Sequence, residues 1–206
     1  MTVANIVQQR GITRVLHFTT NSGLLGILAK KAVLSRKRLP EEKYLEHIFH
    51  PNCATRQDPR WIDYVNLSVE KINAMFFSYS SKWHENVAYW CVLSFDPSIL
   101  THDNVVFVTT NNSYNTARRN SGPNGLEMLF AETVHEKHPH VKKRTAKSNS
   151  AHTTSPQAEV LYPEELSIDC LREVFVPDER AAETAHGQMG VFGLTIPLTS
   201  NPDIFK

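Results

Sequence analysis

Residues 86–95, NVAYWCVLSF, constrain this chain more than any other segment. The run is apolar on both faces, rich in β-branched and aromatic side chains, and stopped by Asp96-Pro97. A strand of that kind needs cover on both sides, which requires a sheet packed inside a layered fold. Further strands are expected at residues 14–18 (RVLHF), 64–69 (YVNLSV), 105–108, 158–161 and 171–176. Helices are expected at GLLGILAKK, with Asn21 or Ser22 as its cap, at 41–50 before Pro51, and at 123–135. The first of these carries a stripe of Leu24, Leu25, Ile27 and Leu28; the third turns Leu126, Met128, Leu129 and Phe130 inward.

Residues 52–63 read as polar turns, 111–120 as a turn with a short helix, 181–190 as a short helical or loop segment, and 191–206 as an irregular tail. Strands gather toward the C-terminal side and helices toward the N-terminal side, an α+β pattern with a split or two-layer sheet. There is no βαβ alternation and no GxGxxG after a strand, which disfavours a Rossmann-type dinucleotide site.

The 206 residues are enough for one hydrophobic core, and a single domain over 1–206 is expected. With 41% hydrophobic and 21% charged residues the composition is that of a globular protein. No apolar run reaches the roughly 18 residues of a membrane span. Met1 to Arg10 has no apolar signal core, so export is not indicated. Three cysteines, Cys53, Cys91 and Cys170, lie far apart with no CxxC, which fits a reducing cytoplasm. A net charge of +1 leaves any polyanion contact to local clusters.

One such cluster lies in residues 137–155, KHPHVKKRTAKSNSAHTTS, a basic stretch with almost no apolar side chain. A stretch of that length within a domain points to a functional or mobile loop, here about 137–157. It runs into SPQAEVL, where Glu159 sits at the mouth of an apolar strand and Gln157 two residues earlier, on the same face of an extended chain. An amide and a carboxylate together suit a sugar hydroxyl and a base edge. Alone, Glu159 also reads as an exposed edge-strand carboxylate. Near the N-terminus, His17 and Thr19 straddle Phe18 in VLHFTT, fitting a ribose and an amide-bearing ring, or simply a structural histidine. Arg56 and Arg60 in TRQDPRW offer paired donors for a diphosphate, or solvated loop charge. Phe76, Phe77, Tyr79 and Trp83 form an aromatic group suited to stacking or to core packing.

Taken together, LHFT, GLLGIL, YVNLSVEKINAMFF, YWCVLSFDPSIL, VVFVTTNNSYNTARR and TTSPQAEVLYP resemble the DarT toxins over roughly residues 12–177. These are NAD⁺-dependent ADP-ribosyltransferases that modify bases in single-stranded DNA. The resemblance implies an α+β ADP-ribosyltransferase-like fold, a split β-sheet with helices around a central NAD⁺ cleft. It implies that Glu159 is the catalytic glutamate, with Arg60 or Arg56 as the catalytic arginine. It implies an NAD⁺ site of His17, Phe18, Thr19, Gly26, Leu34, Phe76, Arg56 and Arg60. DNA is expected on the loop before Glu159, through Lys142, Lys143, Arg144, Lys147, His152 and Gln157, helped by Arg118, Arg119 and Arg36. A macrodomain antitoxin that reverses the modification is the implied partner, and NAD⁺ is a substrate with no metal required. VNLSVEKINAMFF lacks the VPFYFAPRSPM string of the thymine-modifying branch and resembles the guanine-modifying one.

Other readings stay open on the residues alone. His135, His138, His140 and His152 would suit zinc in a metal-dependent nuclease, although HExxH spacing is absent. The basic loop would also serve a non-catalytic nucleic-acid-binding module, without a helix-turn-helix, zinc-finger or RNA-recognition signature to support it. A relative of the same fold acting on RNA, by modification or 2′-phosphate transfer, would share the architecture.

Overall fold

The computed structural model describes residues 1–39, 60–84 and 87–206. The expected helix at 41–50, most of the polar stretch that follows, Cys53 and Arg56 lie outside the described residues. The helices are α1 (Val3–Arg10), α2 (Asn21–Lys30), α3 (Ala74–Trp83), α4 (Gly122–Met128) and α5 (Glu179–Val191). The strands are β1 (Val15–Thr20), β2 (Ala32–Leu34), β3 (Tyr64–Val69), β4 (Trp90–Phe95), β5 (Val106–Val108), β6 (Arg119–Ser121), β7 (Thr133–His135), β8 (Val141–Lys143), β9 (Glu159–Pro163), β10 (Glu165–Ser167), β11 (Leu171–Val176) and β12 (Leu198–Ser200).

Eight strands form one sheet in the order β12-β11-β4-β1-β3-β9-β5-β6. The both-faces-apolar run becomes β4, with Cys91 to Phe95 buried and β1 and β11 on either side. It starts at Trp90 instead of position 86. The sheet is split in its middle. β1 pairs with β3 only at Val15↔Val69 and Leu16↔Ser68, whereas Tyr64 to Leu67 of β3 pair with β9. Beyond Leu16 the two central strands therefore separate, and a cavity opens between them. N-terminal strands thus hold the middle of the sheet, against the expectation that strands gather on the C-terminal side.

Local chemistry sets the boundaries. Thr20 caps α2, its hydroxyl accepting from the Gly23 N–H at 3.1 Å, so the cap lies one residue before the expected Asn21. Asn73 caps α3 through the Phe76 N–H, and Asp178 caps α5 through the Ala181 N–H. Residues 111–118 form turns without the expected helix, because the Asn111 carboxamide takes the Ser113 N–H and hydroxyl and favours a tight turn.

The helix expected over 123–135 ends at Met128, which is only half buried. Thr133–His135 pairs instead with Val141–Lys143 as a hairpin, where a β-branched pair favours extended backbone. The basic stretch therefore contains β8 and hydrogen-bonded turns. The tail supplies β12, parallel to β11, and a 3-10 turn at Pro202–Phe205 that buries Ile204 against Leu16, Val92 and Phe175. Three-residue edge strands carry too little periodicity to stand out in a sequence.

Candidate active site

The split between β1 and β3 is floored by core and walled by side chains from both strands. β3 is buried at Val65, Leu67 and Val69 and half buried at Tyr64, Asn66 and Ser68. Its polar face looks into the cavity, and its apolar face joins the core. The cavity has a volume of about 510 Å³, within the range of small-molecule sites. Into it come His17, Phe18 and Thr19 from β1, Gly26 from α2, Leu34 from β2, Arg60, Phe76 from α3 and Glu159 from β9.

Glu159 is 4% exposed and begins β9, in register with Val108 of β5. The Asn66 side-chain N–H donates to its carboxylate at 2.8 Å. The main-chain carbonyl of the same asparagine accepts from His17 Nδ1 at 3.0 Å. A carbonyl only accepts, so Nδ1 carries the proton and a neutral His17 keeps Nε2 as an acceptor. Burial pushes the His17 pKa below its ordinary value, opposed by the bond to Asn66. One residue thus ties the two catalytic-looking side chains together across the gap where strand pairing fails.

Close packing shapes the α2 side. A Cβ added at Gly23 would lie 2.0 Å from the Thr19 hydroxyl, so only glycine lets the first turn of α2 approach β1. Phe18 packs on Phe76 at 5.7 Å and on Phe77 at 5.5 Å, which fixes α3 against the cavity. The charged side chains of the lining are Lys30, Arg36, Arg60 and Arg119 against a single carboxylate, Glu159, among the described residues. That excess of positive charge suits an anionic ligand such as a diphosphate.

The remaining expected residues lie elsewhere. Gln157 is buried, but β9 starts only at Glu159, and Gln157 does not line the cavity. Its carboxamide oxygen accepts from the Tyr114 hydroxyl at 2.9 Å, and Tyr114 is the one that reaches the cavity. Burial raises the Tyr114 pKa, keeping it a hydroxyl donor. Arg144 donates to the carbonyls of His152, Asn149 and Ser150 and sits 5.6 Å from the Phe130 ring centroid, so it holds the loop together instead of standing free on it.

Lys142, Lys143, Lys147 and Arg118 are exposed outside the cavity, and His152 is half buried. Arg119 does line the cavity, bonded to Asn112 and the Ala117 carbonyl and set over the Trp61 ring. No group of three or more His, Cys, Asp and Glu converges among the described residues, including the histidines of the zinc reading. No described helix is long and apolar enough to cross a membrane.

Asn66 and Tyr114 were not singled out in the sequence. The signal for Asn66 was available: two polar residues at alternate positions of a strand, Asn66 and Ser68, mark a face turned to solvent or to a cavity. Tyr114 gave none, since a tyrosine in a polar turn has no distinguishing pattern.

No curated protein matches the chain. Several solved structures share its fold. Thermus sp. 2.9 DarT in complex with NAD⁺ superposes with a TM-score of 0.66 at 17% identity, over 94% of this chain and 98% of that one. Thermus sp. 2.9 DarT in complex with ADP-ribosylated ssDNA gives 0.66 at 15% identity, over 95% and 97%. Thermosipho africanus DarTG in complex with ADP-ribose gives 0.60 at 12% identity, over 94% of this chain and 51% of that one. A family model described as "ssDNA thymidine ADP-ribosyltransferase, DarT" matches residues 16–206. The chain belongs to the DarT family, and with it to the NAD⁺-dependent single-stranded-DNA ADP-ribosyltransferases.

Proposed function

We propose that the cavity in the split sheet holds NAD⁺, that Glu159 carries the transfer of ADP-ribose, and that a guanine in single-stranded DNA is the favoured acceptor. The observation behind this is a buried carboxylate held by Asn66, the single carboxylate among the described residues of a lining whose other charged side chains are cations. His17 and Thr19 hold the nicotinamide end, with Phe18, Gly26, Leu34 and Phe76 closing around the dinucleotide. Arg60 steadies the diphosphate side, and Arg56 is the second candidate for that work.

The chemistry follows from charge. The bond from ribose C1′ to nicotinamide nitrogen breaks, and nicotinamide leaves with the electron pair. Positive charge builds on the ribose, and the Glu159 carboxylate stabilises it. A base nitrogen then bonds to C1′, and its proton passes to Glu159 as general base. Nicotinamide in NAD⁺ is already a cationic leaving group, so its departure requires no metal. Bases paired in a duplex hide these nitrogens, which accounts for a single-stranded or flipped substrate.

The guanine assignment rests on VNLSVEKINAMFF, the segment of β3 and α3 that resembles the guanine branch, while the matching family is described by thymidine. We place the protein in the cytoplasm as the toxin of a toxin–antitoxin pair, with a macrodomain antitoxin that removes the ADP-ribose. The likeness to Thermosipho africanus DarTG supports that pairing.

The test is incubation with NAD⁺ and single-stranded oligonucleotides that each contain one reactive base, followed by mass spectrometry. An ADP-ribose adduct on guanine is expected, and Glu159→Ala lowers its rate on the order of 10²–10⁴-fold. An adduct on thymine overturns the base assignment alone. Full activity of Glu159→Ala overturns the mechanism. Comparing Arg60→Ala with Arg56→Ala identifies the arginine.

A further inference from the structure

Seven large apolar side chains are exposed among the described residues, and three of them recur every fourth residue on α3. These are Met75 at 46%, Tyr79 at 51% and Trp83 at 47% exposure. Residues four apart lie above one another on a helix, so the three form one stripe about 12 Å long. Tyr79 and Trp83 are stacked, 6.0 Å between centroids and 23° between ring planes.

Packing does not need this stripe. The inner side of α3 is made by Phe76, Phe77 and the fully buried Ser80, with Phe77 against Phe18, Trp90 and Phe205. A row of exposed aromatics on a soluble helix marks a contact surface. The stripe is continuous with the cavity. Phe76, one residue from Met75 on the same helix, lines it. Lys82 is exposed on the same helix.

Resting on the reading of the cavity as the site of ADP-ribosyl transfer, we infer that Met75, Tyr79 and Trp83 form the platform on which bases flanking the acceptor in single-stranded DNA stack. The chemistry fits that polymer. Every base has a π-face, aromatic platforms take successive bases irrespective of sequence, and a nearby cation such as Lys82 meets the backbone. A stripe about 12 Å long has room for roughly two or three bases of an extended strand. The platform starts beside the cavity, so it feeds the strand toward Glu159 and leaves the dinucleotide contacts to the side chains that line the cavity, Phe76 of α3 among them.

The experiment compares the wild-type chain with Tyr79→Ala/Trp83→Ala and with Tyr79→Phe/Trp83→Phe. Transfer rates are measured against oligonucleotide concentration, and NAD⁺ binding is measured by calorimetry. The alanine pair is expected to raise the KM for DNA about tenfold per lost ring, with the NAD⁺ dissociation constant within about twofold of wild type. The phenylalanine pair, which keeps the π-faces, restores the KM. An unchanged DNA KM in the alanine pair, with transfer intact, overturns the platform.

Should the wild type transfer nothing to DNA, the reading of the cavity fails, and the platform is judged by binding alone. The tryptophan fluorescence of the wild type is then titrated with an unmodified oligonucleotide. Quenching that disappears in Trp83→Phe supports the platform, and unquenched fluorescence or quenching retained in that variant overturns it.

Discussion

Asn66 holds Glu159 and His17 at once: its side chain donates to the carboxylate at 2.8 Å while its carbonyl takes the imidazole N–H at 3.0 Å. The residue lies where β1 and β3 part, so groups on three strands of the split sheet are set by one side chain and one peptide. Removing the side chain separates the two functions. Asn66→Ala leaves the carbonyl to His17 and strips Glu159 of a donor to its charged form. A hydrogen bond to a charged group contributes about 1.5–3 kcal/mol, so kcat/KM for transfer falls roughly 10- to 150-fold. Calorimetry on NAD⁺ separates this from a binding loss, and an unchanged kcat/KM would show that the contact does not position Glu159.

Gly23→Ala places a Cβ against the Thr19 hydroxyl and within 3.4 Å of the Thr20 hydroxyl that caps α2. Thr19 must turn or α2 must shift, and both wall the cavity. NAD⁺ affinity is expected to fall at least about tenfold, with a lowered melting temperature. Gly187→Ala in α5, where nothing stands within 4 Å of an added Cβ, is expected to stabilise by about 0.5–1 kcal/mol in a urea titration.

The pH dependence of stability should carry His17. Its folded pKa lies below the ordinary 6.5 through burial, so the unfolded chain binds the proton more readily. Stability is then complete above about pH 6.5 and declines as pH falls below it toward the folded value. His152, lowered by burial and then by Lys71, acts in the same direction. Asp96, held at about 2 chiefly by Ser98, loses its contribution only in the carboxylate range. His17→Gln keeps a donor for the Asn66 carbonyl and no titration. Its melting temperature should change less between pH 7.5 and 5.5 than that of the wild type, and an equal change would place the dependence elsewhere.

The basic loop should divide by function. Arg144 is committed to three carbonyls, so Arg144→Ala costs about 1–3 kcal/mol of stability in denaturant titration. Lys142→Ala and Lys147→Ala remove exposed cations and cost less than about 0.5 kcal/mol. Each lowers the slope of log affinity against log salt for single-stranded DNA by about 0.7 if it meets a phosphate. A lysine variant with an unchanged slope is not a DNA contact.

Much of this was legible in the residues. The both-faces-apolar run dictated a buried central strand, and Arg14 through Phe18 and Tyr64 through Val69 read as strands on local pattern alone. The polar residues at 66 and 68 were visible as an alternation, and Glu159 as a carboxylate at a strand mouth. These are properties of side-chain type at period two, which a chain carries before it folds.

The tertiary structure decided what those residues meet. Strand pairing stops after Leu16↔Ser68, a matter of long-range register that no local pattern encodes, and that failure creates the cavity. Gln157, two residues from Glu159, looks identical in spacing to a site residue, yet the strand begins after it and its amide goes to Tyr114. Arg144 looks like its lysine neighbours until the fold brings three carbonyls around its guanidinium. Residue type and spacing thus determined which groups were available; the register between distant strands decided which of them share a site, because hydrogen-bond partners far apart in sequence exist only once the chain has closed.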